Sequence, residues 1–98
     1  MVAYNGRMLD KDAIFKALSD STRRLILDEL SETVEMTLYE LTARLIMKHN
    51  LTISRQGIAK HLSVLEEAGL VKSKRKGKYR VLTFNNEPLK NLLNGWIE

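Results

Sequence analysis

The sequence predicts a mainly α-helical domain with a two-stranded β-ribbon near its end, in the element order α-α-α-α-β-β-α. Two patterns support this prediction: apolar residues recur at helical spacing through most of the chain, and residue types alternate on both sides of Gly77. A length of 98 residues, of which 44% are hydrophobic, suits one compact domain over residues 1–98. A second lobe would not fit in a chain of this length.

The first two helices are predicted from their boundaries. Acidic side chains at positions 10 and 12 favour the positive end of a helix over about residues 11–19. Asp20 or Ser21 then caps a second helix, in which apolar residues recur at helical spacing up to Leu30.

The third and fourth helices are predicted from capping signals. Thr37, with Glu40 three residues later, forms a capping box at the start of a third helix that runs to about Lys48. Ser54 is the expected cap of the fourth helix, and Gly69 ends it. The two helices are therefore separated by a short connecting loop.

The fourth helix has two different faces. At helical spacing its apolar residues form one stripe that is expected to face the core: Ile58, Leu62, Leu65 and Ala68. This orientation turns a second set of side chains to solvent: Arg55, Gln56, Ala59, Lys60 and Ser63.

The positive charge of the chain is concentrated after the fourth helix. The net charge is +4, and residues 72–80 contain six cations and no anion. An isolated charge run is most often a solvated face or a flexible linker, but here β-branched and aromatic residues alternate with the cations. Gly77 supplies the positive φ that a tight hairpin turn needs. We therefore expect a basic β-hairpin over residues 71–84, called the wing below.

A last helix is predicted over about residues 87–97, and its apolar residues keep helical spacing from Leu89 to Ile97. This stripe could complete the core of a single chain. A helix with so many apolar residues at the end of a small domain nevertheless favours pairing with a second copy of the chain. We therefore expect a homodimer that pairs through the helices at about 11–19 and 87–97, with contacts from Ile14, Leu18, Leu89, Leu92, Leu93 and Trp96.

A helix with an exposed polar face followed directly by a basic hairpin is the winged helix-turn-helix arrangement. Such a helix fits the major groove of double-stranded DNA, which is about 12 Å wide, while the wing reaches along the backbone. In its first turn, Arg55 can pair bidentately with guanine and Gln56 with adenine. Both could instead be ordinary polar surface residues, but the adjacent wing favours base contacts.

Composition disfavours several other classes of function. The absence of cysteine excludes disulfides, thiolate catalysis and sulfur-ligated metal sites, and two separated histidines do not form a metal site. Glu66 and Glu67 diverge by about 100° on a helix and cannot converge on a substrate bond. We expect neither enzymatic activity nor a cofactor. With no apolar run of roughly 18 residues and no signal peptide, we expect a cytoplasmic protein without a membrane partner.

Three segments together resemble the ArsR family of bacterial winged-helix transcriptional repressors. Residues 14–27 resemble the family's opening "ALsDpTRRxIL" pattern, residues 39–45 its "xELAxxL" helix, and residues 54–71 its "SxxxxxKHLxxLxxAGLV" segment. The three motifs are specific in combination, although each is weak alone. The resemblance implies a homodimer that binds operator DNA through the helix after the turn and through the wing.

Carried over by position, the resemblance implies base-edge contacts for Arg55, Gln56, Ala59 and Lys60, and phosphate contacts for Ser54, His61 and the wing cations. With one further backbone contact at the start of the third helix, the predicted DNA-binding residues are Thr37, Ser54, Arg55, Gln56, Ala59, Lys60, His61, Ser63, Lys72, Lys74, Arg75, Lys76, Lys78 and Arg80.

The sequence departs from the family pattern at two places. Metal-sensing members use cysteines in the helix that matches residues 37–48, or His and carboxylate pairs on the last helix, but this chain has no Cys and its residues 86–98 hold no His or Asp. The family's metal-sensing sites are therefore absent. The connection over residues 45–54 is also several residues longer than is usual in the family.

Some assignments stay open at this point. His61 is either a phosphate ligand or a partly buried helix histidine. Arg23 and Arg24 either contact DNA or, as we expect, pair with Asp20 and Asp28. The rival function is a winged-helix protein-interaction module whose wing binds an acidic partner. We expect a repressor on a pseudo-palindromic operator, and the sequence names neither the operator nor any small-molecule effector.

Overall fold

The fold of residues 6–97, the part of the chain that the computed structural model describes, consists of five helices and three strands; side chains are described from residue 11. In chain order these are α1 (Gly6–Leu18), α2 (Ser21–Ser31), β1 (Met36–Thr37), α3 (Leu38–Met47), α4 (Arg55–Glu67), β2 (Val71–Lys76), β3 (Tyr79–Phe84) and α5 (Glu87–Ile97). The predicted mainly helical fold is confirmed. The first helix begins at Gly6 and not near residue 11.

Side-chain caps begin three of the helices, as the sequence predicts. The side chain of Asp20 accepts a hydrogen bond from the Arg23 amide at 3.1 Å, Thr37 from the Glu40 amide at 3.0 Å, and Ser54 from the Gly57 amide at 3.0 Å. Each cap satisfies a backbone donor that the helix itself leaves without a partner. The capping box at Thr37 is only half formed, because the Glu40 carboxylate turns to Arg44 at 2.9 Å.

The wing is a β-hairpin, but it belongs to a three-stranded sheet. Strands β2 and β3 pair antiparallel from Val71↔Phe84 to Lys76↔Tyr79, and Gly77 lies in the turn with φ of 62°. Strand β1 adds to the other edge of β3, giving the order β1-β3-β2. The prediction of a two-stranded ribbon was therefore incomplete, because a strand of two residues is too short to show an alternating pattern.

One core holds the helices and the sheet together. The apolar stripe of α4 lies in it as predicted, with Ile58, Leu62 and Leu65 buried and Ala68 beside them at the helix end. Each buried Leu or Ile contributes about 2 kcal/mol of hydrophobic free energy, so this stripe sets the rotation of α4 about its axis. The side chains on its opposite face are consequently held outward.

The arginines at the start of α2 are structural, but their partners differ from the prediction. Arg23 donates to the carbonyls of Ala17 and Lys16 at 2.9 and 2.8 Å, and Arg24 donates to the carbonyl of Leu18 at 2.6 Å. Both side chains thus satisfy carbonyls at the end of α1, which lack partners within that helix. The expected pairing with the Asp20 and Asp28 carboxylates was wrong.

A buried carboxylate joins α2 to the end of α3. The Glu29 side chain is 1% exposed, and its oxygens lie 3.1 Å from Arg44, 2.9 Å from Lys48 and 2.7 Å from His49. The hydrogen bond from His49, assisted by those from Lys48 and Arg44, outweighs burial and lowers the Glu29 pKa from 4.5 to about 2. Just after these residues, Asn50 takes a positive φ of 59° that ends the helical turn. Glu29 therefore fixes the start of the loop that connects α3 to α4.

None of the helices in the part of the chain that the structure describes is both long and apolar enough to cross a membrane.

Candidate nucleic-acid interface

An open groove runs between the start of α4, the start of α3 and the wing. Several of the predicted DNA-binding residues line it: Thr37, Arg55, Ala59, Lys74, Arg75, Lys78 and Arg80. These residues come from three elements that are separated in sequence. The tertiary structure thus brings the start of α4 and the basic hairpin to one concave surface.

The outward face of α4 is as predicted from the sequence. Arg55, Gln56, Ala59, Lys60 and Ser63 are all exposed. Arg55 and Ala59 line the groove, whereas the other three lie on the same helix outside its lining. Ser54 caps the helix with its hydroxyl, so its side chain is already engaged within the protein. Arg55 is thus the cation of the first turn of α4 that lines the groove.

Two of the six wing cations are paired within the chain. The Lys76 ammonium lies 2.8 Å from the Glu35 carboxylate, which precedes β1, and the Arg80 guanidinium lies 2.8 Å from Glu66 on α4. The Lys76 ammonium also holds the pKa of Glu35 below its ordinary value.

The other four wing cations have no ion pair among the residues that the structure describes: Lys72, Lys74, Arg75 and Lys78. Three of these line the groove. Lys72 does not, because it lies at the base of the wing and lines a different groove with Lys11, Pro88 and Asn91. The groove itself therefore presents three wing cations without carboxylate partners.

His61 is turned toward the protein and not toward the groove. Its Nδ1 lies 3.1 Å from a guanidinium nitrogen of Arg23 and 3.8 Å from the Asp20 carboxylate, and the side chain is 23% exposed. Between the two alternatives left open by the sequence, this environment favours the partly buried helix histidine.

Two tyrosines line the groove without having been predicted as site residues. Tyr39, in the first turn of α3, is 80% exposed, and Tyr79, beside the wing turn, is 58% exposed. A phenolic hydroxyl can donate a hydrogen bond to a phosphate oxygen. Tyr79 is one of the aromatic residues whose alternation with the cations predicts the strand. The available signal was an aromatic residue directly between the cations Lys78 and Arg80.

A second exposed surface is formed by the two terminal helices. The rings of Phe15 on α1 and Trp96 on α5 stack at a centroid distance of 5.9 Å, and both side chains remain exposed together with Leu93 and Ile97.

Not all the predicted dimer contacts belong to this apolar surface. Ile14 and Leu92 lie in the core of the protomer, 3% and 8% exposed. The prediction that these two residues contact a partner is corrected here, because both are buried within the protomer. Helical spacing alone does not distinguish a stripe that faces the core from one that faces outward. Leu18 and Leu89 are half-buried against the core, whereas Leu93 and Trp96 are exposed.

Within the described residues there is no cluster of three or more His, Cys, Asp or Glu side chains placed to hold a metal ion. The residues that converge on the groove are cationic, hydroxyl-bearing and aromatic. This set suits a polyanion, since its cations can pair with phosphates and its hydroxyls can donate to them.

The chain is similar to known regulators in sequence and in fold. Residues 18–74 match a family model described as a helix-turn-helix domain. An uncharacterized HTH-type transcriptional regulator, YuzN of Bacillus subtilis strain 168, is 82% identical over 91% of this chain and 97% of its own. The transcriptional repressor SdpR of the same organism is 36% identical over 86% of this chain and 84% of its own. An ArsR-like transcriptional regulator structure from Rhodococcus sp. RHA1 superimposes with a TM-score of 0.75 at 33% identity, covering 92% of this chain and 78% of that one.

Proposed function

Because the chain belongs to the ArsR-like winged helix-turn-helix transcriptional regulators, we propose that it is a homodimeric repressor that reads a specific double-stranded DNA site. The observation that supports the proposal most directly is the groove. Arg55 on α4 faces it from one side, and Lys74, Arg75 and Lys78 face it from the wing. Such a protein would act in the cytoplasm, together with the DNA that it regulates.

The two sides of the groove have different roles in this proposal. Arg55 lies in the first turn of α4, the part of a recognition helix that contacts base edges, and its guanidinium matches the O6 and N7 acceptors of guanine. The wing cations of β2 lie on an exposed strand and are suited to phosphates, which carry no sequence information. Specificity is thus assigned to α4, and general affinity to the wing.

The number of unpaired cations predicts the salt dependence of binding. Arg55, Lys74, Arg75 and Lys78 line the groove without an ion pair among the described residues. If the three wing cations of the groove each neutralise one phosphate in each of two subunits, log affinity falls with log salt at a slope of roughly −5.

The decisive experiment selects bound sequences from a random DNA pool and then measures affinities for the selected site and a scrambled one. We expect Arg55→Ala to reduce discrimination between the two by about 1–3 kcal/mol, and Lys78→Ala to weaken both equally while flattening the salt slope by about one per subunit. Equal effects of the two substitutions on both DNAs would remove this division of roles. A wild-type protein that ignores DNA but binds an acidic protein would support the interaction-module alternative.

Homodimerisation is proposed to use the exposed surface of the terminal helices. Phe15, Leu93, Trp96 and Ile97 together form an apolar patch that a second copy would cover, and a two-fold axis brings the same patch from each chain together. Two subunits related in this way would place their α4 helices about 34 Å apart, one turn of DNA. The selected sequences should therefore be pseudo-palindromic.

Sedimentation tests the dimer directly. We expect Trp96→Ala to shift the protein toward monomer, while Met47→Ala, which truncates an even more exposed apolar side chain at the end of α3, leaves the oligomeric state unchanged. A wild-type monomer, or a dimer insensitive to Trp96→Ala, would contradict this interface.

Repression itself is tested by transcription in vitro from a promoter that contains the selected site, where occupancy should lower the transcript yield.

A further inference from the structure

One carboxylate oxygen connects α4 to both strands of the wing. Oε2 of Glu66, in the last turn of α4, accepts a hydrogen bond from the Ser73 hydroxyl at 2.6 Å and another from the Arg80 guanidinium at 2.8 Å. Ser73 is on β2 and Arg80 is on β3. A single side chain therefore bridges three elements that meet at the groove.

The strand register explains why a carboxylate is needed at this position. Arg75 and Arg80 are directly opposite each other in the β2–β3 ladder, and Ser73, two residues from Arg75, shares their face of the sheet. Like charges directly opposite on neighbouring strands repel each other. The Glu66 carboxylate offsets that repulsion and at the same time draws this face of the hairpin toward α4.

Apolar packing alone holds only the base of the wing. Val71 is buried, but every later residue of β2 is exposed, and on β3 the buried residues begin at Val81. The outer part of the hairpin therefore depends on polar contacts for its orientation, and Glu66 supplies two of them. The third is the Lys76 contact to Glu35 near the turn.

We propose that Glu66 is a positioning residue that sets the angle between the wing and α4 and thereby the selectivity of the groove for its DNA site. This inference rests on the proposed function, because it assumes that both elements engage one duplex. Base contacts from α4 and phosphate contacts from the wing can form together only when the separation between the two elements matches the DNA. Loss of Glu66 should therefore impair the specific complex more than nonspecific attachment.

Electrostatics alone predicts a different result, a gain in affinity for every DNA with an unchanged affinity ratio, and this difference makes the proposal testable. Removing an anion from a DNA-binding surface should strengthen binding to every DNA. Glu67, the next residue of α4, is exposed and has no ion pair or side-chain hydrogen bond among the described residues, so Glu67→Ala is the matched control for charge. Glu66→Gln keeps an acceptor oxygen and serves as the conservative variant.

The binding experiment measures the ratio of affinities for the selected site and for scrambled DNA. We expect Glu66→Ala to lower this ratio about tenfold, Glu66→Gln to lower it less, and Glu67→Ala to leave it within about twofold of wild type. A ratio that changes equally in Glu66→Ala and Glu67→Ala, or that is unchanged in both, overturns the proposal.

Amide hydrogen exchange without DNA separates this inference from the proposed function. Exchange in residues 73–80 should accelerate several-fold in Glu66→Ala and not in Glu67→Ala, while amides in the buried middle of α4 keep their protection, which shows that the fold is intact. If wild-type protein does not discriminate between DNA sequences, the proposed function fails. Amide exchange in residues 73–80 still tests whether Glu66 holds the wing in place. Unchanged exchange overturns the positioning role, and faster exchange with an unchanged affinity ratio overturns its link to selectivity.

Discussion

Two regions of this protein are rich in cations, and their surroundings differ. At the end of α3, Arg44, Lys48 and His49 converge on the buried Glu29 carboxylate. In the wing, Lys76 and Arg80 each meet one carboxylate, while Lys72, Lys74, Arg75 and Lys78 have none among the described residues. The first cluster neutralises itself within the fold, whereas the second keeps an excess of positive charge at the surface.

The difference shows why the number of basic residues does not identify a DNA-binding surface. The basic side chains at the end of α3 face a carboxylate that has almost no contact with solvent, and they stabilise the link between α2 and α3. In the wing, few carboxylates of the described residues lie close enough to pair with the cations. Its remaining charge is available to a polyanion. The following predictions test this contrast between an internal and an external use of charge.

The largest expected effect is the pH dependence of stability. The Glu29 pKa is about 2 in the folded protein against an ordinary value of 4.5, so the ionised carboxylate stabilises the fold by about 3 kcal/mol. Because the folded pKa is the lower one, this contribution is complete above about pH 4.5 and is lost as the pH falls toward 2. Urea unfolding across this pH range measures it.

The second effect is the loss of the Glu29 charge by substitution. We expect Glu29→Gln to lower the free energy of unfolding at pH 7 by about 2 kcal/mol, since Arg44 and Lys48 lose a buried anionic partner, and to flatten the acid limb of the pH profile. Glu32→Gln is the control, because the half-exposed Glu32 contacts Lys48 and Arg44 at longer distances of 3.6 and 3.9 Å. Equal losses in the two variants would show that burial of Glu29 is unimportant.

The smallest expected effect concerns the wing turn. Glu35→Gln should release Lys76 and raise the affinity for any DNA by about threefold, with a salt slope steeper by up to about one per subunit. In a Lys76→Ala background the same substitution should give a smaller gain, since no cation is then released. A gain of the same size in both backgrounds would mean that Glu35 acts only as a distant anion.

Local features of the site could be predicted from the sequence because they depend on neighbouring residues. The caps at Thr37 and Ser54 involve the amide three residues later, the outward face of α4 follows from helical spacing, and the turn at Gly77 follows from its conformational freedom. Each depends on interactions within one turn or one hairpin, so a short window of sequence contains all the information needed.

Contacts between distant segments could not be predicted in the same way. Lys76 and Glu35 are 41 residues apart, and Arg44 and Glu29 are 15 apart. Strand β1, with two residues, forms only because β3 offers it an edge. The burial of Ile14 depends on how α1 rests against α4 and α5. No residue pattern within a single element specifies any of these partners.

The sequence by itself determined the helices with their caps, the polar face of α4 and a basic hairpin, because propensity, periodicity and turn chemistry act over a few residues. Only the tertiary structure decided which cations have a carboxylate partner among the residues that it describes. That outcome depends on where Glu29, Glu35 and Glu66 come to rest once the apolar stripes have packed. The strength of an ion pair depends on distance and burial, and both are properties of the folded chain.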